Sequence, residues 1–210
     1  MTLSLARELV SLLPAGSDHL FNPWRDRCAN DADTDGPEQR LARLAAHLDC
    51  QPDWILCGEA PGYAGCRHSG IAFTSERLLL EGAIPRIAPL GRRITTRALP
   101  LSEQSATIVW RHLYLHGIAE RTVLWNALQM HPVGSRGVWS NRTPTPAELA
   151  MGAPAMRRLL DAFPRARVIA VGRNAEAILA SMGVAPHGQI RHPANGGAPA
   201  FSAGLGALLS

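Results

Sequence analysis

Asp53-Trp54-Ile55-Leu56-Cys57-Gly58-Glu59-Ala60-Pro61-Gly62-Tyr63 decides how this chain folds. A short apolar run closes on a glycine and passes into a turn rich in Gly and Pro. Strands covered on both faces read this way, because no polar residue alternates with the apolar ones. The pattern returns at Thr122 to Trp125, which runs into Asn126, and at Arg167 to Val171, which ends at Gly172. A last short strand is predicted over Gly188 to Arg191.

Helical stretches separate these runs. Leu3 to Leu13 carries Leu and Val at helical spacing before the breaker Pro14-Ala15-Gly16, and Pro37 to Leu48 places Leu41, Leu44, Ala45 and Leu48 on one face. Glu103 to His116, Pro146 to Ala162 and Asn174 to Met182 are read as helices, with Thr145 as the cap and Pro146 in the first turn of the second. Strands alternating with helices imply a parallel sheet covered on both sides. The expected fold is α/β: one domain over residues 1–210, a three-layer α/β/α sandwich around a central four-stranded parallel sheet. Residues 1 to 50 are expected as a helical extension. The polar stretch from Asn22 to Gly36 reads as loop. Residues 84 to 101, with Arg86, Arg92, Arg93 and Arg97, read as a basic surface insertion.

Hydrophobic residues make up 46% of the 210, enough for a substantial core, and the formal net charge is +4. Every basic side chain is Arg and none is Lys. A guanidinium grips phosphate with a planar fork, yet a genome rich in Arg codons produces the same bias. The apolar start is broken by Arg7 and Glu8, unlike a signal peptide, and no run reaches membrane-span length. Cys28, Cys50, Cys57 and Cys66 form no C-x-x-C pair and read as free thiols. A cytoplasmic monomer, not membrane-bound, with no metal and no cofactor, is the expectation.

In an open parallel sheet, ligands bind beyond the carboxyl ends of the strands. Glu59 follows the first strand, Asn126 the second, and Arg191-His192-Pro193-Ala194-Asn195-Gly196-Gly197 the last. A carboxylate, an amide and an imidazole should therefore meet at one edge. They offer a group to position water, a two-sided hydrogen-bond reader and a donor to developing negative charge. The Gly58 to Gly65 turn lacks the Lys-Ser/Thr ending of a phosphate loop, and no G-x-G-x-x-G occurs.

The string GEAPGYAGCRHSGIAFTSE (58–76) resembles the first motif of the uracil-DNA glycosylase superfamily. NALQMHPV (126–133) is similar to the segment after its second strand, and RHPANGG (191–197) to its histidine-proline motif. NRTPTPAEL (141–149) resembles a helix entrance of its iron–sulfur branch, and order and spacing agree across residues 53 to 200. The resemblance implies a DNA-repair glycosylase that extrudes uracil and hydrolyses its bond to the sugar, leaving an abasic site. It implies that Phe73 stacks on the base, Asn126 reads its Watson–Crick edge, and the backbone N–H groups of Ala60 and Tyr63 help fix it. His192 would donate to O2 of the departing base, and Glu59 would hold the attacking water. Contacts to DNA are expected at Thr74, Ser75, Arg191 and Asn195, with the arginines of 84–101 as further candidates. A DNA-binding protein of low turnover for uracil-containing or abasic DNA, and a glycosylase for another deaminated base, are the alternatives.

The sequence also departs from these relatives. Two cluster cysteines of the iron–sulfur branch align with Met130 and Met151, so no cluster is expected and apolar packing should take its place. A branch that excludes thymine carries Tyr where Gly62 stands, with Tyr63 one residue on. The loop that usually bears a wedge Leu reads Ala194-Asn195-Gly196-Gly197, and the R-R-I-H loop of covalently trapping relatives is absent, His68 being the one histidine nearby. Without Lys, Schiff-base chemistry lacks its usual nucleophile.

Overall fold

A computed structural model describes residues 2–209. Its strands, in chain order, are β1 (Leu20–Phe21), β2 (Trp54–Gly58), β3 (Thr122–Asn126), β4 (His131–Gly134), β5 (Gly137–Asn141), β6 (Arg167–Val171) and β7 (Gly188–Ile190). The apolar runs pair in parallel in the order β3-β2-β6-β7. Register sets Gly58 beside Asn126 and Val171 beside Ile190, which aligns the carboxyl ends where the site was expected.

The helices are α1 (Thr2–Ser11), α2 (Pro37–His47), α3 (Cys66–Ser69), α4 (Glu76–Leu80), α5 (Gln104–Leu115), α6 (Pro146–Ala162), α7 (Arg173–Ser181) and α8 (Ala198–Leu209). Side chains alternate across a strand, and two separate cores result. Ile55, Cys57, Val123, Trp125, Val168 and Ala170 pack with α1, α2, α6 and α7. Trp54, Leu56, Leu124, Ile169 and Val171 pack with α4, α5 and α8. Each fully buried aliphatic side chain contributes about 1.5–3 kcal/mol relative to exposure. This is the expected three-layer sandwich. Thr145 caps α6 by accepting from Glu148 N, and the Glu148 carboxylate in turn accepts from Thr145 N.

Residues 1–50 are more than an extension: Ala6, Leu9, Leu13, Leu44 and Leu48 belong to the first core. Two elements were not foreseen. β1, β4 and β5 form a small antiparallel sheet, and α8 closes the second core with Phe201 and Leu205. Met130 is buried in the first core, as expected for apolar packing, but Met151 lies exposed on α6. No helix among the described residues is long and apolar enough to cross a membrane.

The 84–101 segment runs over the surface with Arg92 and Arg97 exposed, but it is anchored from within. It wraps around one buried carboxylate that the sequence reading did not foresee. Glu76 accepts from Ile94 N, Thr95 N, Leu101 N, the Thr95 hydroxyl and Arg93. Burial alone would raise the Glu76 carboxyl, but Arg93 and these donors hold it down at about 2. Arg86 donates to the carbonyls of His47, Glu120 and Thr122. Arg97 lies over the Trp139 ring, so only Arg92 of the four arginines has no partner among the described residues.

Candidate active site

The carboxyl ends of the four parallel strands open into a cleft of about 920 Å³. Glu59, Ala60, Tyr63, Phe73, Asn126, Arg191, His192 and Asn195 all line it. The acid and the imidazole, far apart in sequence, therefore face one space.

Gly58 explains how Phe73 and Asn126 crowd together. A Cβ at this position would fall 2.7 Å from Asn126 Oδ1 and 2.7 Å from Phe73 Cζ. Only a hydrogen at the strand end lets the ring and the amide approach it. Phe73 has φ +49°, a left-handed conformation that an aromatic residue seldom adopts, and its ring lies 6.0 Å from that of His192, centroid to centroid. Asn126 is only 5% exposed. Its backbone carbonyl accepts from Gln129 Nε2, which fixes the turn after β3.

His192 is set by its own loop. Ala194 N donates to Nδ1 at 3.2 Å, so the proton of the neutral ring sits on Nε2, available as a donor. Burial, with Arg191 beside it, lowers the His192 pKa and favours that neutral form. Gly197 packs on the His192 carbonyl with no room for a side chain, and Asn195 turns the loop at φ +52°. Glu59 accepts from Asn174 Nδ2 at 3.0 Å. That bond orients the carboxylate, and Asn174, in the first turn of α7, had no assigned part in the sequence reading.

Three expected contacts change. Thr74 and Ser75 are fully buried, and the Thr74 hydroxyl donates to Ala72 O while accepting from Trp110 Nε1. Neither side chain can meet a phosphate in this arrangement. Tyr63 N donates to Asn141 Oδ1 at 2.9 Å and is already engaged. Ala60 N keeps no partner among the described residues.

Asn141 itself was missed. Arg67, always a donor, bonds His131 Nδ1 at 2.8 Å, which places the His131 proton on Nε2 and lets it donate to Asn141 Oδ1 at 3.1 Å. Two donors thus hold the Asn141 oxygen, and its NH2 group is left for the cleft that Asn141 lines. Burial, aided by Arg67, pushes His131 down to about 4, consistent with a neutral relay. The NRTP string placed this Asn at a helix entrance. Only the small second sheet, invisible in the sequence pattern, turns it toward the site.

Of the cysteines, Cys66 alone lines the cleft, and burial pushes its thiol up, away from the thiolate. Cys28, Cys57 and Cys66 are buried free thiols. Cys28, Asp31 and His68 do cluster, but Arg40 pairs with Asp31 and Arg67 donates to Cys28 Sγ. Two guanidinium groups make that cluster hostile to a cation.

No curated protein matches this chain. Among solved structures, the crystal structure of wild-type Pedobacter heparinus SMUG2 is similar, with a TM-score of 0.57 at 15% identity over 90% of this chain and 87% of that one. At that identity the likeness speaks for the fold. Residues 46–202 match the Uracil DNA glycosylase superfamily, and with more than half of its length so matched this chain belongs to that family.

Proposed function

We propose that this DNA glycosylase hydrolyses the N-glycosidic bond of uracil in DNA and leaves an abasic site. The observation that carries the reading is the meeting of Phe73 and Asn126 at Gly58, with the His192 ring beside Phe73 and Glu59 in the same cleft. An extruded pyrimidine would stack on Phe73, and the Asn126 amide would offer one donor and one acceptor to its edge. As the bond to the sugar breaks, negative charge grows on the base. A neutral imidazole donating from Nε2 stabilises that charge, as preorganised donors do in oxyanion holes. Glu59, oriented by Asn174, would hold the water that attacks the sugar carbon and take its proton. Each step uses side chains alone, and a chain without Lys is suited to water as the nucleophile.

Arg173 and Arg191, both exposed on the rim, suit the flanking phosphates. The Ala194 to Gly197 loop carries no large apolar wedge, which favours a single strand or a weakened pair as substrate, since extrusion costs least there. That same loop motivates a second reading, a protein that holds uracil-containing or abasic DNA with little turnover. The deciding experiment measures free uracil released from matched single- and double-stranded oligonucleotides at equal protein and DNA. Release at a single uracil, abolished by His192→Ala, supports hydrolysis. Tight binding without release supports the second reading, and release of another deaminated base in preference to uracil would replace the substrate.

A further inference from the structure

Glu103 is the cleft's unexplained acid. It precedes α5, yet its side chain forms no cap bond and points instead toward the Gly62–Gly65 turn. A Cβ at Gly62 would lie 2.6 Å from Glu103 Oε1, and one at Gly65 would come closer still to Oε2. Neither glycine has a positive φ. Space for this carboxyl, rather than left-handed backbone, is thus what a side chain at either position would destroy.

The acid is also badly matched to its surroundings. In a chain with 21 arginines, Asp31, Asp35, Glu76 and Glu148 each pair with one. Glu103 has no ion pair among the described residues, and its one polar partner is the Ser105 hydroxyl. A partly buried carboxyl without a cation costs free energy unless something else supplies its hydrogen bonds. The groups that face it offer little. Cys66 on α3 is a buried thiol, Tyr63 lies in the turn, and Asn141 on β5 presents its NH2 group 3.8 Å from the Gly62 Cβ position. Arg142 is tied to Glu148, and Glu59 and His192 line the same cleft from the parallel strand ends.

We propose that Glu103 is a second substrate-contacting carboxyl of this cleft, reading the part of the extruded nucleotide that reaches the Gly62–Gly65 turn. It rests on the glycosylase reading above, and it adds a specificity group on the wall opened by two glycines. Burial pushes Glu103 up to about 7, against the pull of the Ser105 hydroxyl. Near neutrality it is therefore a carboxylic acid in good part, able to donate to a carbonyl oxygen or ring nitrogen. Asn141 beside it presents only donors, so the pair suits an acceptor-rich edge.

The test compares wild type with Glu103→Gln and Glu103→Asp on a single-stranded oligonucleotide carrying one uracil, from about pH 6 to about pH 9. Two readouts run in parallel: single-turnover release of uracil, and equilibrium binding of a 2′-fluorinated oligonucleotide that resists cleavage. Wild-type release and binding should both weaken by about tenfold on passing upward through pH 7, the worth of one good hydrogen bond to the acid form. Glu103→Gln, which keeps an N–H donor at every pH, should flatten both profiles. Glu103→Asp should keep the break at lower overall affinity. Profiles of wild type and Glu103→Gln that run parallel overturn the proposal. If wild type releases no uracil, the glycosylase reading fails by itself, and the binding profiles still decide for or against Glu103.

Discussion

Gly58→Ala tests whether the cleft works as the geometry implies. The new methyl would sit 2.7 Å from both Asn126 Oδ1 and Phe73 Cζ, and 2.9 Å from Phe73 Cε2, where ordinary contact starts near 3.4 Å. Something must retreat by about 0.7 Å. The strand cannot, because β2 is paired on both sides and Gly58 O accepts from Ala127 N. Phe73 is held at φ +49° against His192, and Asn126 is nearly enclosed. Overpacking of this kind costs about 1–3 kcal/mol of stability, a fall in Tm of roughly 2–4 °C per kcal/mol for a chain of this size. The larger effect should fall on the reaction. A displacement of about 1 Å at reacting groups costs about a hundredfold, so a shift of about 0.7 Å should slow single-turnover release of uracil by about ten- to a hundredfold. Thermal melts and release rates measured on the same protein separate the two effects. A variant that melts earlier yet releases uracil at the wild-type rate would refute the placement of the base between Phe73 and Asn126.

The parallel core was legible because its strands are buried on both faces. Runs such as Trp54 to Cys57 and Val168 to Val171 leave no other reading, and the structure matches each to within a residue or two. The second sheet was not legible. His131-Pro132-Val133-Gly134 carries a proline and a glycine, both of low strand propensity, and only its pairing with its neighbours makes it a strand. Asn141 was lost with it. Glu103 escaped for a different reason: it reads as the first residue of the helix that runs to His116, and nothing local says that two glycines forty residues earlier have left it a place in the cleft. Of the arginines of 84–101, Arg92 and Arg97 do face solvent, but Arg86 and Arg93 turn inward, which charge in an irregular segment does not suggest. The carboxylate that gathers the segment, Glu76, lies at the entrance of another helix. Side chains that follow strands were thus placed well from sequence alone, whereas those delivered by the small sheet and the insertion needed the fold.

Asn126→Ala should impair base selection more than DNA binding, checked by release from a panel of uracil and other deaminated bases; unchanged rate and selectivity would remove it as the reader. Glu59→Gln should slow single-turnover release by about a hundredfold, in the range general-base groups contribute, while leaving affinity for the fluorinated oligonucleotide intact. Asn174→Ala should show a smaller loss of the same kind, since it orients the Glu59 carboxylate. The last prediction concerns acid. Burial, with Arg86 nearby, pushes His47 down to about 3, and burial with Arg67 pushes His131 down to about 4, so both stay neutral in the folded protein. Unfolded, each titrates near 6.5. Between about pH 5.5 and 4.5 these two histidines alone therefore bind nearly two protons in the unfolded chain that the folded one refuses, which takes up to about 2.7 kcal/mol of stability per unit as pH falls. Glu103 has the opposite sign: raised to about 7, it holds a proton in the folded state that an unfolded Glu has released, and so offsets about half of that slope. Urea unfolding at pH 6, 5.5 and 5 should show Glu103→Gln losing about 1.4 kcal/mol per unit more than wild type, the worth of the one proton that Glu103 holds. Equal slopes in the two proteins would mean that Glu103 is ionised in the folded cleft, and its power to donate a hydrogen bond there would be gone.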